Sequence, residues 1–232
     1  MKKQKDFGRL KTERLLLRVL VALFVLSSVF AIVYQAVNGE TMFMMRGFLF
    51  PLFLLIVPVF RRLGLGSCYR LMSMLYAFSL FAFTYGCVLG GFTGNLIMDK
   101  VSHFLSGIVF TVFGYCLYFF LAGRQPGGIR HKALLSSSYA LCFSAFIGVM
   151  WEVCEFLGFI FTGHDSQNHL TTGVFDTMQD LICCLVGSVI SVASFALYRY
   201  TKRKLMTPAI VSEFYEEAVE KNKRGKPAGK EA

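Results

Sequence analysis

The chain has 232 residues, 55% of them hydrophobic and only 16% charged, with a formal net charge of +10. Apolar content that high, gathered in long blocks, excludes a soluble domain of ordinary composition and points to an integral membrane protein. Seven cysteines, an odd number lying almost entirely inside apolar runs, imply no disulfide framework. No Walker-type glycine loop, G-x-S-x-G elbow or paired C-x-x-C is present to support nucleotide-driven or serine-hydrolase chemistry.

Residues 1–14 (MKKQKDFGRLKTER) are polar and basic and run into an apolar stretch over 15–37. A secretory signal would have a shorter apolar region and a small-residue cleavage site, so this stretch is expected to be the first membrane helix. Five further runs, at 42–60, 71–92, 101–121, 133–161 and 175–198, each reach or approach the roughly 20 residues that cross a bilayer of about 30 Å. The expected fold is therefore all-α: a polytopic bundle of six transmembrane helices over 15–198. Pro51 and Pro58 are expected to kink the second helix.

Lysine and arginine set the orientation. With the N-terminus in the cytoplasm, all of the 24 basic residues except Arg46 and Lys100 fall on the cytoplasmic side. Both termini are expected there, and the basic ends explain the net charge by attraction to anionic lipid headgroups, without nucleic acid. In the tail, 199–232, Thr207 and Pro208 read as the start of a short amphipathic helix. Val211, Phe214, Tyr215 and Ala218 share its apolar face, and the composition from Lys221 onward is that of a disordered end.

This topology gathers the acidic motifs at the outer face. Asp99 and His103 open the fourth helix, Glu152 and Glu155 lie near the outer end of the fifth, and Asp176 and Asp180 open the sixth. Residues three or four apart share a helix face, so convergence of the three pairs would bring together one imidazole and five carboxylates. Such a donor set suits a hard or borderline divalent cation such as Mn, Fe, Zn, Mg or Ca, with room for two ions. Without a cation, some of the carboxylates would have to take up protons.

Plainer roles stand beside this one. Asp99 and Asp176 occupy positions where an acid caps a helix, and Asp176 with Gln179 resembles a capping box. His103 would also serve as a hydrogen-bonded membrane histidine, and His164 and His169 read as ordinary loop residues. Glu152 and Glu155 are harder to assign to capping, because the C-terminal part of a helix disfavours an acid. Gly107, Gly114, Ser144, Gly148, Gly187 and Ser191 read as close-packing positions between helices.

The segments D99-K-V-S-H103-F, G148-V-M-W-E152-V-C-E155 and D176-T-M-Q-D180-L-I-C-C-L-V-G187 resemble the bacterial inner-membrane family typified by YjdF and, more distantly, the VanZ-like proteins. The resemblance covers roughly residues 99–187 and implies Asp99, Lys100, His103, Glu152, Asp180 and Gly187 as the positions to carry over. Glu155 stands where VanZ-like proteins tend to have Gln, and Cys184 where they tend to have Asn, which favours the YjdF-like relation. It implies an architecture and a bacterial plasma-membrane location rather than a reaction.

The leading expectation is an outward-facing site that binds a divalent metal ion and acts on, or recognises, a lipid-linked or other envelope substrate. Asp99, His103, Glu152, Asp176 and Asp180 would hold the metal. Glu155 and His103 would do the chemistry, with Glu155 as general base, and Arg46 and Lys100 would contact substrate. The alternatives are an ion-coupled transporter or lipid flippase using the same acids, and a non-catalytic membrane protein that pairs with a partner through its tail.

Overall fold

The computed structural model describes residues 2–38, 54–63, 68–88, 96–122, 130–163, 165–203 and 205–220, and among these every regular element is helical. Two compact units are present, one formed by residues 1–95 and 216–232 and the other by 96–215.

The first unit is built on α1 (Lys2–Asn38), followed by α2 (Ile56–Arg62) and α3 (Tyr69–Phe78), which continues as a π-helix over Ser79–Val88. Phe24 of α1 meets Tyr76 of α3 edge to face at 5.7 Å, and both rings are fully buried. At the polar end of the pair, Arg70 donates to Glu13 at 2.8 Å and the Arg14 guanidinium lies over the Tyr69 ring. Pro58 sits in the first turn of α2, where its missing N–H leaves no helical bond unmade. Pro51 and Arg46, like most of the expected second helix, lie outside the described residues.

The second unit comprises α4 (Leu96–Ala122), α5 (Arg130–Thr162), the single turn α6 (His169–Thr172), α7 (Phe175–Thr201) and α8 (Met206–Tyr215). Contacts fix the directions of the long helices. Lys100 meets Asp176 and Asp180, and Tyr115 stacks on Phe195 at 4.3 Å, so α4 and α7 run parallel. Ser144 of α5 reaches Gly107 of α4, and Tyr115 reaches Ser137, so α5 runs antiparallel to both. The starts of α4 and α7 and the far end of α5 therefore share one end of the bundle.

Glycine permits the closest approach. A Cβ on Gly107 would collide with the Cys184 carbonyl of α7, and one on Gly187 with the Phe104 carbonyl of α4. The two backbones touch at these positions, as small residues allow between membrane helices. Ser188 donates to Cys184 O at 2.9 Å and lies 2.9 Å from the Ser144 hydroxyl, while Ser144 donates to Gly107 O at 3.1 Å, so the three helices are clasped by hydroxyls. Farther along, Tyr115, Phe119 and Phe195 form an aromatic layer. At that end α8 seats Thr207 against Ser191 at 2.9 Å and Phe214 against Phe120.

The distribution of polarity is that of a membrane bundle. Phe146, Val149, Val153, Ile182, Val186 and Ile190 face outward, while Ser144, Ser188, His103, Glu152 and Asp180 are buried. Among the described residues four helices are long and apolar enough to cross a membrane, at Leu10–Tyr34, Leu96–Ala122, Ala133–Phe161 and Phe175–Tyr198. The expected third helix, over 71–92, is helical through Val88 but divided between α and π geometry.

Candidate functional site

At the shared end of α4, α5 and α7 the expected carboxylates and imidazole come together. Asp99, Lys100 and His103 come from the first three turns of α4, Asp176 and Asp180 from the first two of α7, and Glu152 and Glu155 from α5. The parallel starts of α4 and α7 direct two positive helix ends at this pocket, which favours negative charge there. Asp176 is not the N-cap of its helix: Val174 is, and it makes no side-chain cap hydrogen bond.

Lys100 organises one half of the pocket. Its ammonium donates to Asp176 Oδ1 and, at 2.8 Å, to Asp180 Oδ2, with Asp99 Oδ2 at 3.7 Å and the Asp176 carbonyl at 3.5 Å. Asp180 Oδ1 also lies 2.8 Å from the ammonium, but outside hydrogen-bonding direction, and has no hydrogen-bond partner. Asp176 places its second oxygen on the Asn168 amide, which donates at 2.7 Å, so both of its oxygens are engaged.

His103 organises the other half. Nε2 lies 3.7 Å from Asp99 Oδ1 and 3.8 Å from Asp180 Oδ1, and Nδ1 lies 3.9 Å from Glu152 Oε1. None of these separations is a hydrogen bond. Two sets of donor atoms each fall within 4.8 Å of one another, one from Asp99, His103 and Asp180, the other from His103, Glu152 and Glu155, so the imidazole is common to both. Glu152 and Asp180 are 5% and 3% exposed, yet among the described residues neither Glu152 Oε1 nor Asp180 Oδ1 has a hydrogen-bond partner. A buried acceptor left unsatisfied costs about 1–3 kcal/mol, and more when charged.

The connection from α5 to α7 covers the pocket from outside. Gln167 Nε2 donates to Glu152 Oε2 at 2.9 Å and to the Glu152 carbonyl at 3.0 Å, while the adjacent Asn168 holds Asp176. Asn168 adopts a left-handed backbone (φ 50°), a conformation that asparagine tolerates better than most residues. Asp165 accepts the His169 and Leu170 amides, both at 2.8 Å, and thereby fixes the turn that carries the two side-chain amides.

The expected ligands therefore fall into two groups. Asp99, His103, Glu152, Glu155 and Asp180 converge around the imidazole, whereas Asp176 serves Lys100. Lys100, expected to meet substrate, points its charge at the acids of its own chain. Arg46 and His164 lie outside the described residues, and His169 packs its ring near Phe159 at 6.3 Å. Gln167 and Asn168 were not anticipated. Their signal was an S-Q-N run in a short loop with acidic helix ends on both sides, where a primary amide is the neutral group best suited to donate to a carboxylate.

The donor set fits a cation. Metal bonds of about 2.1 Å at tetrahedral angles put ligand atoms about 3.4 Å apart, and bonds of about 2.4 Å at the near-right angles of a six-coordinate calcium site give a similar spacing. The 3.7 and 3.8 Å separations at Nε2 are a few tenths of an ångström wider than this. On the far side of the ring, Glu152 stands where a carboxylate accepts the second N–H of a metal-bound histidine.

Neither a curated protein nor a solved structure matches the chain. A family model described as "Predicted membrane protein (DUF2238)" matches residues 15–202, and the chain belongs to that family of membrane proteins.

Proposed function

We propose that this protein holds one divalent cation at the outer face of a bacterial plasma membrane, bound by His103 Nε2 with Asp99 and Asp180, and acts on or recognises a lipid-linked or other envelope substrate. What carries the reading is one imidazole faced on both sides by buried carboxylate oxygens that hydrogen-bond neither nitrogen: Glu152 Oε1, with no hydrogen-bond partner among the described residues, and Asp180 Oδ1, which is ion-paired with Lys100. Lys100 is a single positive charge set among five carboxylates. Ionised groups buried at a membrane edge need pairing, and a second cation supplies it.

In this reading Glu152 orients the imidazole through Nδ1, with Gln167 fixing its other oxygen. A bound divalent ion lends Lewis-acid character to the pocket. Glu155, half-buried beside Glu152, is the carboxylate left to accept a proton from a water or hydroxyl. Asp99 and Lys100 keep 19% and 18% of their side-chain surface, which supports access from the rim.

The six-span topology with both termini cytoplasmic belongs to the same proposal and rests on the lysine and arginine bias. Kinship with the family typified by YjdF and with VanZ-like proteins rests on the motif positions around Asp99, His103, Glu152 and Asp180. A transporter would need a polar path leading inward. Directly beneath the cluster, Ser144, Ser188 and Cys184 are engaged across helices that touch at Gly107 and Gly187, and this packed floor favours a binding or catalytic pocket.

The test is metal content. Protein purified in detergent without chelator should carry about one divalent ion per chain by elemental mass spectrometry, and Glu152→Gln and Asp180→Asn should lower it. Background metal in the parent protein would end the proposal.

A further inference from the structure

The surroundings of the Lys100 ammonium are those of a cation site. Asp176 Oδ1, both oxygens of Asp180, the Asp176 carbonyl and Asp99 Oδ2 all lie within 3.7 Å of Nζ. Five oxygens from two helices, three of the groups carboxylates, are what a hard cation takes from a protein. The lysine places one charge there on a flexible tether, with three N–H donors where a metal would offer open coordination.

We infer that Lys100 fills the second position of a two-cation pocket, so that the protein takes a single divalent ion at His103 and is prevented by its own side chain from taking two. The inference rests on the divalent-cation reading above. Asp180 is the shared group: both of its oxygens lie 2.8 Å from the ammonium, Oδ2 accepting its hydrogen bond, and Oδ1 also lies 3.8 Å from His103 Nε2. Asp99 is divided, with Oδ2 3.7 Å from Lys100 Nζ and Oδ1 3.7 Å from His103 Nε2. Carboxylates that reach both centres are the groups that bridge paired metal ions. Here one member of the pair is an ammonium.

The arrangement assigns different duties to the two acids of α7. Asp180 belongs to both positions, whereas Asp176, held by Asn168 and Lys100, belongs to the lysine position alone. Asp176 therefore supplies no oxygen to the metal ion of the parent protein and becomes a ligand only when the ammonium is removed.

The experiment titrates Mn2+ into the full chain in detergent and counts bound ions by electron paramagnetic resonance. The parent protein should bind one ion with an isolated six-line signal. Lys100→Gln should bind two, with a spin-coupled signal, and Lys100→Gln combined with Asp176→Asn should return to one. Asp176→Asn alone should keep one ion with the same isolated six-line signal, and this variant carries the test if Lys100→Gln does not accumulate. One ion in the parent and one in Lys100→Gln, or loss of the ion in Asp176→Asn, overturns the inference and leaves the single-ion site standing. A parent protein that binds no Mn2+ removes the site itself.

Discussion

His103 Nδ1 and Glu152 Oε1 face each other at 3.9 Å across the interface of α4 and α5, about 1 Å beyond a hydrogen bond. Both groups are buried, and the other oxygen of Glu152 is held by Gln167, so the carboxylate is anchored on one side and unsatisfied on the other. An ion at Nε2 fixes the tautomer that carries its proton on Nδ1, which would draw the two together. Metal binding should therefore stiffen the contact between α4 and α5.

Gln167→Leu should expose this dependence. It removes the donor to Glu152 Oε2 and leaves a buried carboxylate with neither oxygen hydrogen-bonded, at a cost of about 1–3 kcal/mol. Thermal unfolding in detergent should fall for Gln167→Leu in metal-free protein, and added divalent ion should recover part of the loss. A variant as stable as the parent would show that the loop amide does not anchor Glu152.

The backbone contact between α4 and α7 makes a steric prediction. Gly107→Ala and Gly187→Ala each drive a methyl into a carbonyl of the other helix and should cost at least about 1–3 kcal/mol. A Cβ on Gly158 would meet nothing within 4 Å among the described residues beyond its own helical turn, so Gly158→Ala should be neutral or stabilising by about 0.5–1 kcal/mol. Yields of folded protein on size exclusion, with melting temperatures, separate the two outcomes. Equal tolerance at all three positions would contradict the close approach.

Asn168 combines a left-handed backbone with a hydrogen bond to Asp176, and two variants separate these contributions. Asn168→Gly keeps the backbone free of strain and loses the amide, whereas Asn168→Ala loses both. The alanine variant should be less stable than the glycine variant by about 1 kcal/mol in thermal unfolding. The reverse order would show that the turn does not require the left-handed conformation.

Much of the site is legible from spacing alone. Asp99 with His103, Glu152 with Glu155 and Asp176 with Asp180 each repeat at one helical turn beside apolar sequence, and periodicity makes such pairs share a face. What spacing does not carry is the direction of a long side chain relative to a neighbouring helix. Lys100 lies next to Asp99 in sequence, and nothing local indicates that its ammonium crosses to Asp176 and Asp180, 76 and 80 residues away. The same holds for Gln167 and Asn168, whose roles depend on how the loop folds back over the helix ends. Asp176 sits in the first turn, a position that by itself also suits a capping acid, but Lys100 and Asn168 outcompete the free amides for its oxygens.

Orientation admits its own test. In a background whose native cysteines are replaced, Thr171→Cys, exposed in the loop over the pocket, should react with a membrane-impermeant maleimide in intact cells. Arg203→Cys, just past the end of α7, should react only after the cells are opened. The opposite pattern would invert the topology and place the pocket in the cytoplasm.

If His103 and the carboxylates beside it share a divalent ion, pulsed electron paramagnetic resonance of Mn2+ bound to protein carrying 15N-labelled histidine should detect the imidazole. A 15N hyperfine coupling from a single histidine is expected in the parent and in Asp176→Asn and should be absent in His103→Gln. Bound Mn2+ without a histidine coupling, or a coupling that survives His103→Gln, would rule out the shared ion.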